Sequence, residues 1–448
     1  MKSSMYNLFV PIDESEYVLY NFLNDSALIV DEDMKLCIEK GELNSSISNQ
    51  SVKETLLNCG VIVHDDINER KLYLYRYNIE KYAPSYSLFI VLTTFACNLS
   101  CPYCYEGSGE ILNSSMDEQT LLKVIDFIKK TTHEDGTREI AIKLYGGEPL
   151  LCLDSCYAIS KELSKWGDEN NIKVNIVLQT NGTLLNENAV RLLTPYLAAV
   201  EVTLDGPPES HNKSRCYKNG DGSYEDILRN ISLLAGSKTS ILLRLNVENS
   251  DGLGLLLDNL DKNGLKSWPN LSFYTAHISY YDLCEFFTND ELCLKDINTV
   301  LEIRPSLLRV IYEKGWQSKY HMYNMRKQKL VSCNNEKRGR YVVDPLGDIY
   351  KCVFTAGDKA HRVGVIKDGG VEWNSAYYDI LTRNPLDMEG CADCVYLPNC
   401  GGGCASRAFL NKESFNASYC GPIKRIMSKR ILLYLKEIYP EKFSRLVI

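Results

Sequence analysis

Ser87-Leu-Phe-Ile-Val-Leu-Thr-Thr94 runs directly into Phe95-Ala-Cys-Asn-Leu-Ser-Cys-Pro-Tyr-Cys-Tyr-Glu106, and these two segments decide the fold of the chain. The first segment is apolar without alternation until its end, which predicts a parallel strand buried on both faces. The second segment places Cys97, Cys101 and Cys104 in a C-x3-C-x2-C spacing just after that strand. Three thiolates supply only three of the four ligands of a cubane iron–sulfur cluster, so one iron is left open for a ligand that is not protein.

The position of this triplet carries more information than its spacing. In a chain with 17 cysteines, the spacing arises by chance at a rate on the order of a few per cent. In α/β barrels, however, catalytic groups lie on loops at the carboxyl ends of strands, which is where the triplet falls. The segment resembles the signature of the radical S-adenosylmethionine (SAM) superfamily.

Composition limits the classes of function. A chain of 448 residues with 45% hydrophobic content predicts two or three domains. The net charge of −8, without a long Lys/Arg block, argues against a nucleic-acid partner. Because no basic-then-apolar leader and no long apolar run occurs, we expect a cytoplasmic, soluble protein without a membrane partner. The odd cysteine count favours iron–sulfur ligation in a reducing compartment over a disulfide framework.

After residue 86 the chain alternates between strand-like and helix-like segments. Amphipathic stretches such as 117–131 and 187–196 separate the apolar runs, and six βα units predict a parallel sheet with right-handed crossovers. The predicted strands are Ser87–Thr94, Glu139–Tyr145, Val174–Gln179, Ala199–Leu204, Ile241–Val247 and Leu271–Thr275. The fold class is therefore α/β. The resemblance implies a partial (β/α)6 TIM-like radical SAM barrel, which we expect over residues 86–275.

Residues 1–85 are predicted to form a small separate unit without a catalytic motif. Strand-like pieces come first, helix-like stretches follow, and the run Lys71-Leu-Tyr-Leu-Tyr75 is predicted to be a further strand. This order resembles the winged-helix, leader-recognition (RRE-like) domains that precede many peptide-modifying radical SAM enzymes. A plain structural cap is the alternative.

Polar motifs follow the second, third and fourth predicted strands. They are Leu144-Tyr-Gly-Gly-Glu-Pro149, Gln179-Thr-Asn-Gly-Thr183 and Val202-Thr-Leu-Asp-Gly-Pro207, the last followed by Arg215. At the mouth of a barrel, such residues can bind a sulfonium, a carboxylate and a ribose, although turn formation is the alternative role for each. Asp205 is expected either to orient its loop or to touch the ligand. The resemblance implies SAM contacts from Tyr103, Gly146, Gly147, Glu148, Pro149, Thr180, Asn181, Thr203, Asp205 and Arg215.

The C-terminal cysteines form the most specific pattern of the chain. We expect a polar, helical bridge at 276–332, a Cys-rich and Gly-rich module at 333–425 and a C-terminal helix at 426–448. The module is poor in apolar runs and is predicted to lack a conventional core, so it needs metal to fold. Its cysteines are Cys333, Cys352, Cys391, Cys394, Cys400, Cys404 and Cys420. This order resembles the SPASM domain, an auxiliary-cluster module, and a zinc ribbon is the rival.

The family pattern implies two auxiliary [4Fe–4S] clusters in addition to the SAM-binding one. The expected ligands are Cys391, Cys394, Cys400 and Cys420 for the outer cluster, and Cys333, Cys352 and Cys404 for the inner one. The inner cluster is then one ligand short. Either Cys284 or Cys293 reaches it from the bridge, or an open iron takes a substrate thiolate.

The resemblance implies an oxidoreductase that cleaves SAM reductively to a 5′-deoxyadenosyl radical, with electrons from a partner such as flavodoxin or ferredoxin. Sulfatase-maturating members carry an acidic base directly after the Gly-x4-Cys cysteine, whereas Val353 follows Cys352 here. This difference favours maturation of a ribosomally made precursor peptide, with formation of a thioether from sulfur to carbon. The alternatives are an anaerobic sulfatase-maturating (formylglycine-generating) enzyme, a peptide carbon–carbon crosslinking enzyme, and a non-enzymatic electron carrier, which would need no SAM pocket.

Overall fold

The structure is a computed structural model that describes residues 1–41, 49–106, 112–277, 290–317, 330–421 and 423–443. The N-terminal unit combines a small antiparallel meander with helices, as the sequence predicts. Its strands are β1 (Lys2–Ser3), β2 (Asn7–Pro11), β3 (Glu16–Asn21), β4 (Ser26–Asp31) and β5 (Ile62–Val63), with β2-β3-β4 in one sheet and β1-β5 in another. Its helices are α1 (Glu32–Lys40), α2 (Gln50–Asn58) and α3 (Glu69–Tyr82).

The strand predicted at Lys71–Tyr75 is wrong, because this segment lies within helix α3. The side chain of Asn68 caps the helix by accepting a hydrogen bond from the backbone N–H of Lys71 at 3.1 Å. Tyr73, Tyr77 and Lys81 are buried at a spacing of four residues, whereas Tyr75 is 65% exposed. The alternation of Leu and Tyr imitates a strand over five residues, but the helical period continues for fourteen.

The centre of the molecule is a parallel sheet whose strands follow one another in chain order, which confirms the predicted α/β fold and partial barrel. Within the described residues the order is β11-β10-β9-β8-β7-β6. The strands are β6 (Ser87–Thr94), β7 (Glu139–Gly146), β8 (Lys173–Thr180), β9 (Leu197–Asp205), β10 (Ser240–Val247) and β11 (Leu271–His277). The helices between them are α4 (Glu118–Asp135), α5 (Leu153–Asn170), α6 (Glu187–Leu193), α7 (Pro208–Ser214), α8 (Tyr224–Ser232) and α9 (Ser250–Lys262).

The two faces of this sheet have different chemistry. In β7, Ile140, Ile142 and Leu144 are fully buried and join the core between the sheet and its helices. Lys143 and Tyr145 alternate with them, lie on the inner face of the barrel and are only half-buried. The inner face is therefore the one that can contact a ligand.

The C-terminal module continues the same sheet. After helix α10 (Asp290–Glu313), strand β12 (Arg340–Val343) pairs in parallel with β6, and β13 (Asp348–Tyr350), β14 (Gly364–Lys367) and β15 (Gly370–Trp373) follow in antiparallel order. The expectation that this module lacks a conventional core is wrong. Tyr341, Val343 and Ile349 belong to the main hydrophobic core, because the short apolar runs are completed by the barrel helices.

The remaining helices complete the C-terminal module. They are α11 (Ser375–Thr382), α12 (Leu397–Cys400), α13 (Ala405–Lys412) and α14 (Ile423–Ile438). A second hydrophobic core joins this module to the N-terminal unit: Tyr6 and Phe22 pack with Met388, Leu397 and Met427. None of the described helices combines the length and apolar character needed to span a membrane.

Candidate active site

The cysteine triplet lies on the loop that leaves β6, as the sequence predicts. The backbone N–H of Leu99 donates to the Sγ of Cys97 at 3.5 Å. Burial raises the pKa of the Cys97 thiol, and it raises that of Cys101 to about 12, while the guanidinium of Arg215 lowers both. A nearby positive charge such as this guanidinium favours the ionised form of a buried thiol.

The glycines after β7 pack against the triplet loop. A Cβ on Gly147 would lie 2.3 Å from the carbonyl oxygen of Ala96, and one on Gly146 would lie 2.2 Å from that of Thr94. The backbone N–H of Gly147 donates to the carbonyl oxygen of Thr94 at 3.0 Å, and that of Glu148 donates to the carbonyl oxygen of Ala96 at 2.9 Å. The backbone that these glycines approach closely in the structure is therefore the cluster-binding loop itself.

Glu148 ties this turn to the next one. Its carboxylate accepts hydrogen bonds from the Thr180 hydroxyl at 2.7 Å, from the Asn181 N–H at 2.7 Å and from the Leu150 N–H at 3.0 Å. The side chain is fully buried, and burial raises its pKa. Pro149 begins the short helical turn that follows. The carboxylate of Glu148 thus connects the ends of β7 and β8.

Asn181 extends this arrangement to the triplet. Its side-chain amide donates to the Sγ of Cys97 at 3.9 Å and to the side chain of Asn98 at 2.9 Å. Thr203 lies on the inner face of β9, half-buried, between Glu201 and Asp205. Three consecutive strand ends therefore converge beside the cysteines, as the motifs predict.

Tyr103, Asp205 and Arg215 contact one another beside the triplet, and Asp205 is fully buried. The Tyr103 hydroxyl contacts the carboxylate of Asp205 and accepts from Nη1 of Arg215 at 3.0 Å. Asn246 also donates to Asp205, at 2.8 Å, and burial raises the pKa of Tyr103 strongly. Within the described residues, the Nε of Arg215 is buried without a hydrogen-bond acceptor. Asp205 therefore orients its surroundings, and Arg215 keeps one donor available.

The inner barrel face carries a polar network that the sequence analysis missed. Lys143 donates to Gln179 at 2.9 Å and to Glu201 at 3.1 Å, and the Tyr274 hydroxyl donates to Glu201 at 2.9 Å. Arg244 lies on the same face of β10. The signal was present in the sequence, because a charged residue inside an apolar run such as 240–247 must face something polar.

A second missed residue is Glu106, directly after the triplet. It is 7% exposed, and burial raises its pKa to about 7. Tyr105 lies between two neighbours: its hydroxyl donates to that of Tyr145 at 2.7 Å, and its ring contacts that of Phe354 at 5.0 Å. The triplet loop therefore reaches the C-terminal module on the side of Cys352.

The C-terminal cysteines separate into two groups, as expected for the two auxiliary clusters. Cys333, Cys352 and Cys404 lie near one another, and burial raises the pKa of Cys333 to about 12 and that of Cys352 to about 11. The other four line one cleft beside Tyr396 and Leu397: they are Cys391, Cys394, Cys400 and Cys420. Their roles as ligands stay predictions.

The rival zinc site receives no support from this geometry. Zn–S bonds of about 2.3 Å bring tetrahedral ligands to within about 4 Å of one another. No group of three or more His, Cys, Asp or Glu side chains in the described part of the chain is arranged to hold a single metal ion. Cys284 lies outside the described residues, and Cys293 lies in helix α10 with its side chain outside them as well.

Comparisons with known proteins identify relatives of this arrangement. The profile of the Radical SAM superfamily matches residues 91–247. A serine-type anaerobic sulfatase-maturating enzyme of Klebsiella aerogenes is 32% identical over 350 residues, which cover 74% of this chain and 82% of that protein. The radical SAM cyclopropyl synthase TigE of Paramaledivibacter caminithermalis is 22% identical over 463 residues, which cover 96% of this chain and 91% of that protein.

A solved structure supports the fold over nearly the whole chain. SuiB of Streptococcus suis, bound to its precursor peptide SuiA, has a TM-score of 0.50 and 14% identity, and the match covers 93% of this chain and 98% of that one. The family itself follows from the identity and coverage of the Klebsiella relative. The chain belongs to the radical SAM superfamily and is an iron–sulfur, SAM-dependent enzyme of the maturase type.

Proposed function

We propose that this protein matures a ribosomally made precursor peptide by forming a thioether bond between a cysteine sulfur and a carbon atom. The relatives named above include a maturase of sulfatases and a cyclopropyl synthase. Together with SuiB, which is bound to its precursor peptide SuiA, the sulfatase maturase favours a peptide or protein substrate, and the bond formed is the specific part of the proposal.

The residues at the barrel mouth fit SAM and its cluster. The orphaned Nε of Arg215 is a buried cationic donor among the described residues, and the carboxylate of SAM is an acceptor of matching charge. Cys97, Cys101 and Cys104 are the soft ligands that iron–sulfur clusters require. When bound, the cluster and SAM supply one-electron cleavage of the sulfonium and abstraction of a hydrogen atom from carbon.

The chain's own residues bind and orient these groups in our proposal. Arg215 holds the carboxylate, and Tyr103 with Asp205 fixes the guanidinium. Glu148 aligns the turns after β7 and β8. Buried Phe95, packed with Leu92, excludes water behind the triplet loop. The further proposed SAM contacts are Gly146, Gly147, Pro149, Thr180, Asn181 and Thr203.

Val353 is the observation that carries the choice of reaction. It occupies the position at which the resemblance expects an acid in sulfatase-maturating enzymes, and it packs in an apolar cluster with Leu92, Phe95 and Tyr350. A carboxylate there would be costly to bury without partners. The inner group of three cysteines, Cys333, Cys352 and Cys404, leaves a position for a substrate thiolate in the proposed auxiliary cluster.

The domain assignment supports a peptide substrate. We propose residues 1–85 as the peptide-recognition unit, 86–275 as the barrel, 276–332 as the bridge, 333–425 as the cluster module and 426–448 as the C-terminal segment, which contains most of helix α14 (Ile423–Ile438). TigE and SuiB match 96% and 93% of this chain, so both similarities extend into the N-terminal unit. An external reductant such as flavodoxin or ferredoxin completes the proposed partners.

Sulfatase maturation is the second candidate. The 32% identity to the serine-type enzyme of Klebsiella aerogenes favours it. This reaction would require another residue to replace the acid that is absent at position 353.

The proposal is tested with anaerobically reconstituted protein, dithionite and SAM. We expect 5′-deoxyadenosine, and a Cys-containing peptide encoded beside the gene should lose two hydrogens. The same peptide with its cysteines alkylated is the control and should keep its mass. Unchanged mass of the free peptide, together with conversion of a sulfatase-derived peptide to formylglycine, would replace the proposal by the second candidate.

A further inference from the structure

The inner face of the barrel is divided between two sets of strands. All the proposed SAM contacts lie on the triplet loop, at the ends of β7, β8 and β9, or on the segment after β9. Strands β10 and β11 complete the same face and carry Arg244, Asn246 and Tyr274. In the register of the sheet, Arg244 pairs with Thr203 on one side and with Tyr274 on the other. This half of the barrel is therefore adjacent to the proposed SAM site and available to a second ligand.

The charged side chains on this face include one ion pair and one guanidinium that lies outside it. Lys143 and Glu201 form an ion pair at 3.1 Å, with Lys143 30% exposed. Arg244 is half-buried, and its Nε donates to the amide oxygen of Asn246 at 3.0 Å. Across the described part of the chain, no carboxylate lies within ion-pair distance of Arg244. One guanidinium thus faces the barrel interior next to neutral partners.

An arginine in such a position is well suited to bind a planar anion. Its guanidinium keeps its charge when half-buried and presents two parallel N–H donors, which match a carboxylate. The neighbouring Asn246 fixes one edge of the guanidinium, so the other edge is oriented before a ligand arrives. The Tyr274 hydroxyl donates to Glu201 at 2.9 Å and accepts from Arg244, and as a neutral group it leaves the charge of the guanidinium uncancelled.

We propose that Arg244 determines substrate specificity by binding the side-chain carboxylate of an Asp or Glu residue in the peptide. This inference rests on the proposed function, because it assumes that a peptide enters the barrel. The carboxylate of SAM is the other source of the same chemistry. Arg215 is the better partner for SAM, since its orphaned Nε is fully buried beside the triplet, whereas Arg244 lies one strand further away.

The test is selection of peptides by the reconstituted protein. A displayed library of ten-residue peptides with one fixed cysteine is selected for binding in the presence of SAM and without reductant. The wild type should enrich Asp or Glu at one position, Arg244→Gln should lose this preference, and Arg244→Glu should enrich Lys or Arg instead. Arg309→Gln is the matched control, because Arg309 is 69% exposed on helix α10 and should leave the selection unchanged.

A second measurement does not depend on a variant. An enriched acidic peptide and its Asn or Gln counterpart are compared for binding to the wild type, and the neutral peptide should bind about tenfold or more weakly. Equal binding of the two peptides, or the absence of any acidic preference in the wild type, would overturn the inference. So would an Arg244→Gln variant that selects the same peptides but binds SAM about tenfold more weakly, since Arg244 would then serve SAM.

The outcome for the proposed function is read separately. Loss of two hydrogens from any bound peptide supports peptide maturation whether or not the peptide is acidic. Acidic selection without a change in peptide mass would support the role of Arg244 and contradict the proposed reaction.

Discussion

Arg215 combines a buried Nε with a partner that does not neutralise its charge. Its Nη1 contacts a tyrosine hydroxyl, and its Nε has no acceptor among the described residues. A buried unsatisfied donor on a charged group is costly, so its retention indicates a ligand. At the scale of single residues, this is the clearest sign of where an anionic group of SAM belongs.

Replacing this residue should weaken SAM binding without removing iron. For Arg215→Gln we expect the dissociation constant of SAM to rise about tenfold or more, since a hydrogen bond to a charged group contributes roughly 1.5–3 kcal/mol. Equilibrium dialysis with labelled SAM and an iron assay measure the two quantities. Arg309→Gln removes an exposed guanidinium and is the control. Unchanged SAM affinity would contradict this assignment.

His211 makes the stability of this region depend on pH. Its Nδ1 accepts from the Asp205 N–H at 3.1 Å, its Nε2 lies 3.0 Å from the Ser223 hydroxyl, and burial lowers its pKa to about 3. Below pH 6.5 the unfolded chain binds a proton that the folded chain refuses, so stability is lost as the pH falls, by about 1.4 kcal/mol per pH unit. The difference in thermal unfolding midpoint between the wild type and His211→Gln should be smaller at pH 5.5 than at pH 7. A constant difference would show that His211 is not neutral and buried.

The cysteines and strand-end motifs could be predicted from sequence because each is a local pattern. A charged residue within an apolar run indicates that Arg244 faces a polar group, but the partners of Arg244 and Glu106 could not be predicted from local sequence. The surroundings of Arg244 depend on which face of β10 it occupies, and those of Glu106 depend on packing against Tyr105, which touches the distant Phe354. The sequence allows two roles for Asp205, and its contacts with Tyr103 and Asn246 fit the orienting one.

At the scale of elements, apolar runs were reliable guides where alternate residues pack into the main core. The six barrel strands meet this condition, and all six were predicted to within two residues at each end. Helix α3 does not meet it, because apolar and aromatic residues occupy both its exposed positions, Tyr75 and Ile79, and its buried positions, Tyr73 and Tyr77. Contact with the C-terminal module selects the helix there, and a local pattern contains no information about that contact.

Helix α3 is attached through a buried lysine. The Nζ of Lys81 donates to the carbonyl oxygens of Ile380 at 3.0 Å and Arg383 at 3.1 Å, and to the Tyr77 hydroxyl at 3.0 Å. Lys81→Met removes these three bonds, and the Arg383 carbonyl keeps a second donor, the Tyr77 hydroxyl at 3.0 Å, so we expect a loss of about 2–4 kcal/mol in unfolding free energy. Lys71→Met changes an exposed lysine of the same helix and should cost under about 0.5 kcal/mol. Equal melting temperatures for the two variants would show that Lys81 does not secure the helix.

The described part of the molecule contains three separate groups of cysteines that are predicted cluster ligands. Since the triplet lies on the barrel and the other two groups lie in the C-terminal module, they share no side chain. We expect Cys97, Cys101 and Cys104 replaced together by Ala to lower the iron content from about twelve to about eight atoms per chain and to abolish SAM cleavage. An iron assay and electron paramagnetic resonance measure the iron and the clusters that remain in the variant. Replacing Cys37, Cys59 and Cys152 together is the control, and loss of all iron in the first variant would show interdependent assembly.

The parallel pairing of β12 with β6 has a consequence for the barrel as a folding unit. A barrel of six strands is open, and β6 would otherwise be one of its two edges, with a row of unpaired N–H and C=O groups. Such edges pair with other chains and lead to aggregation. By occupying this edge, the module that carries the auxiliary cysteines also removes one edge of the barrel at which a second copy of the chain could pair.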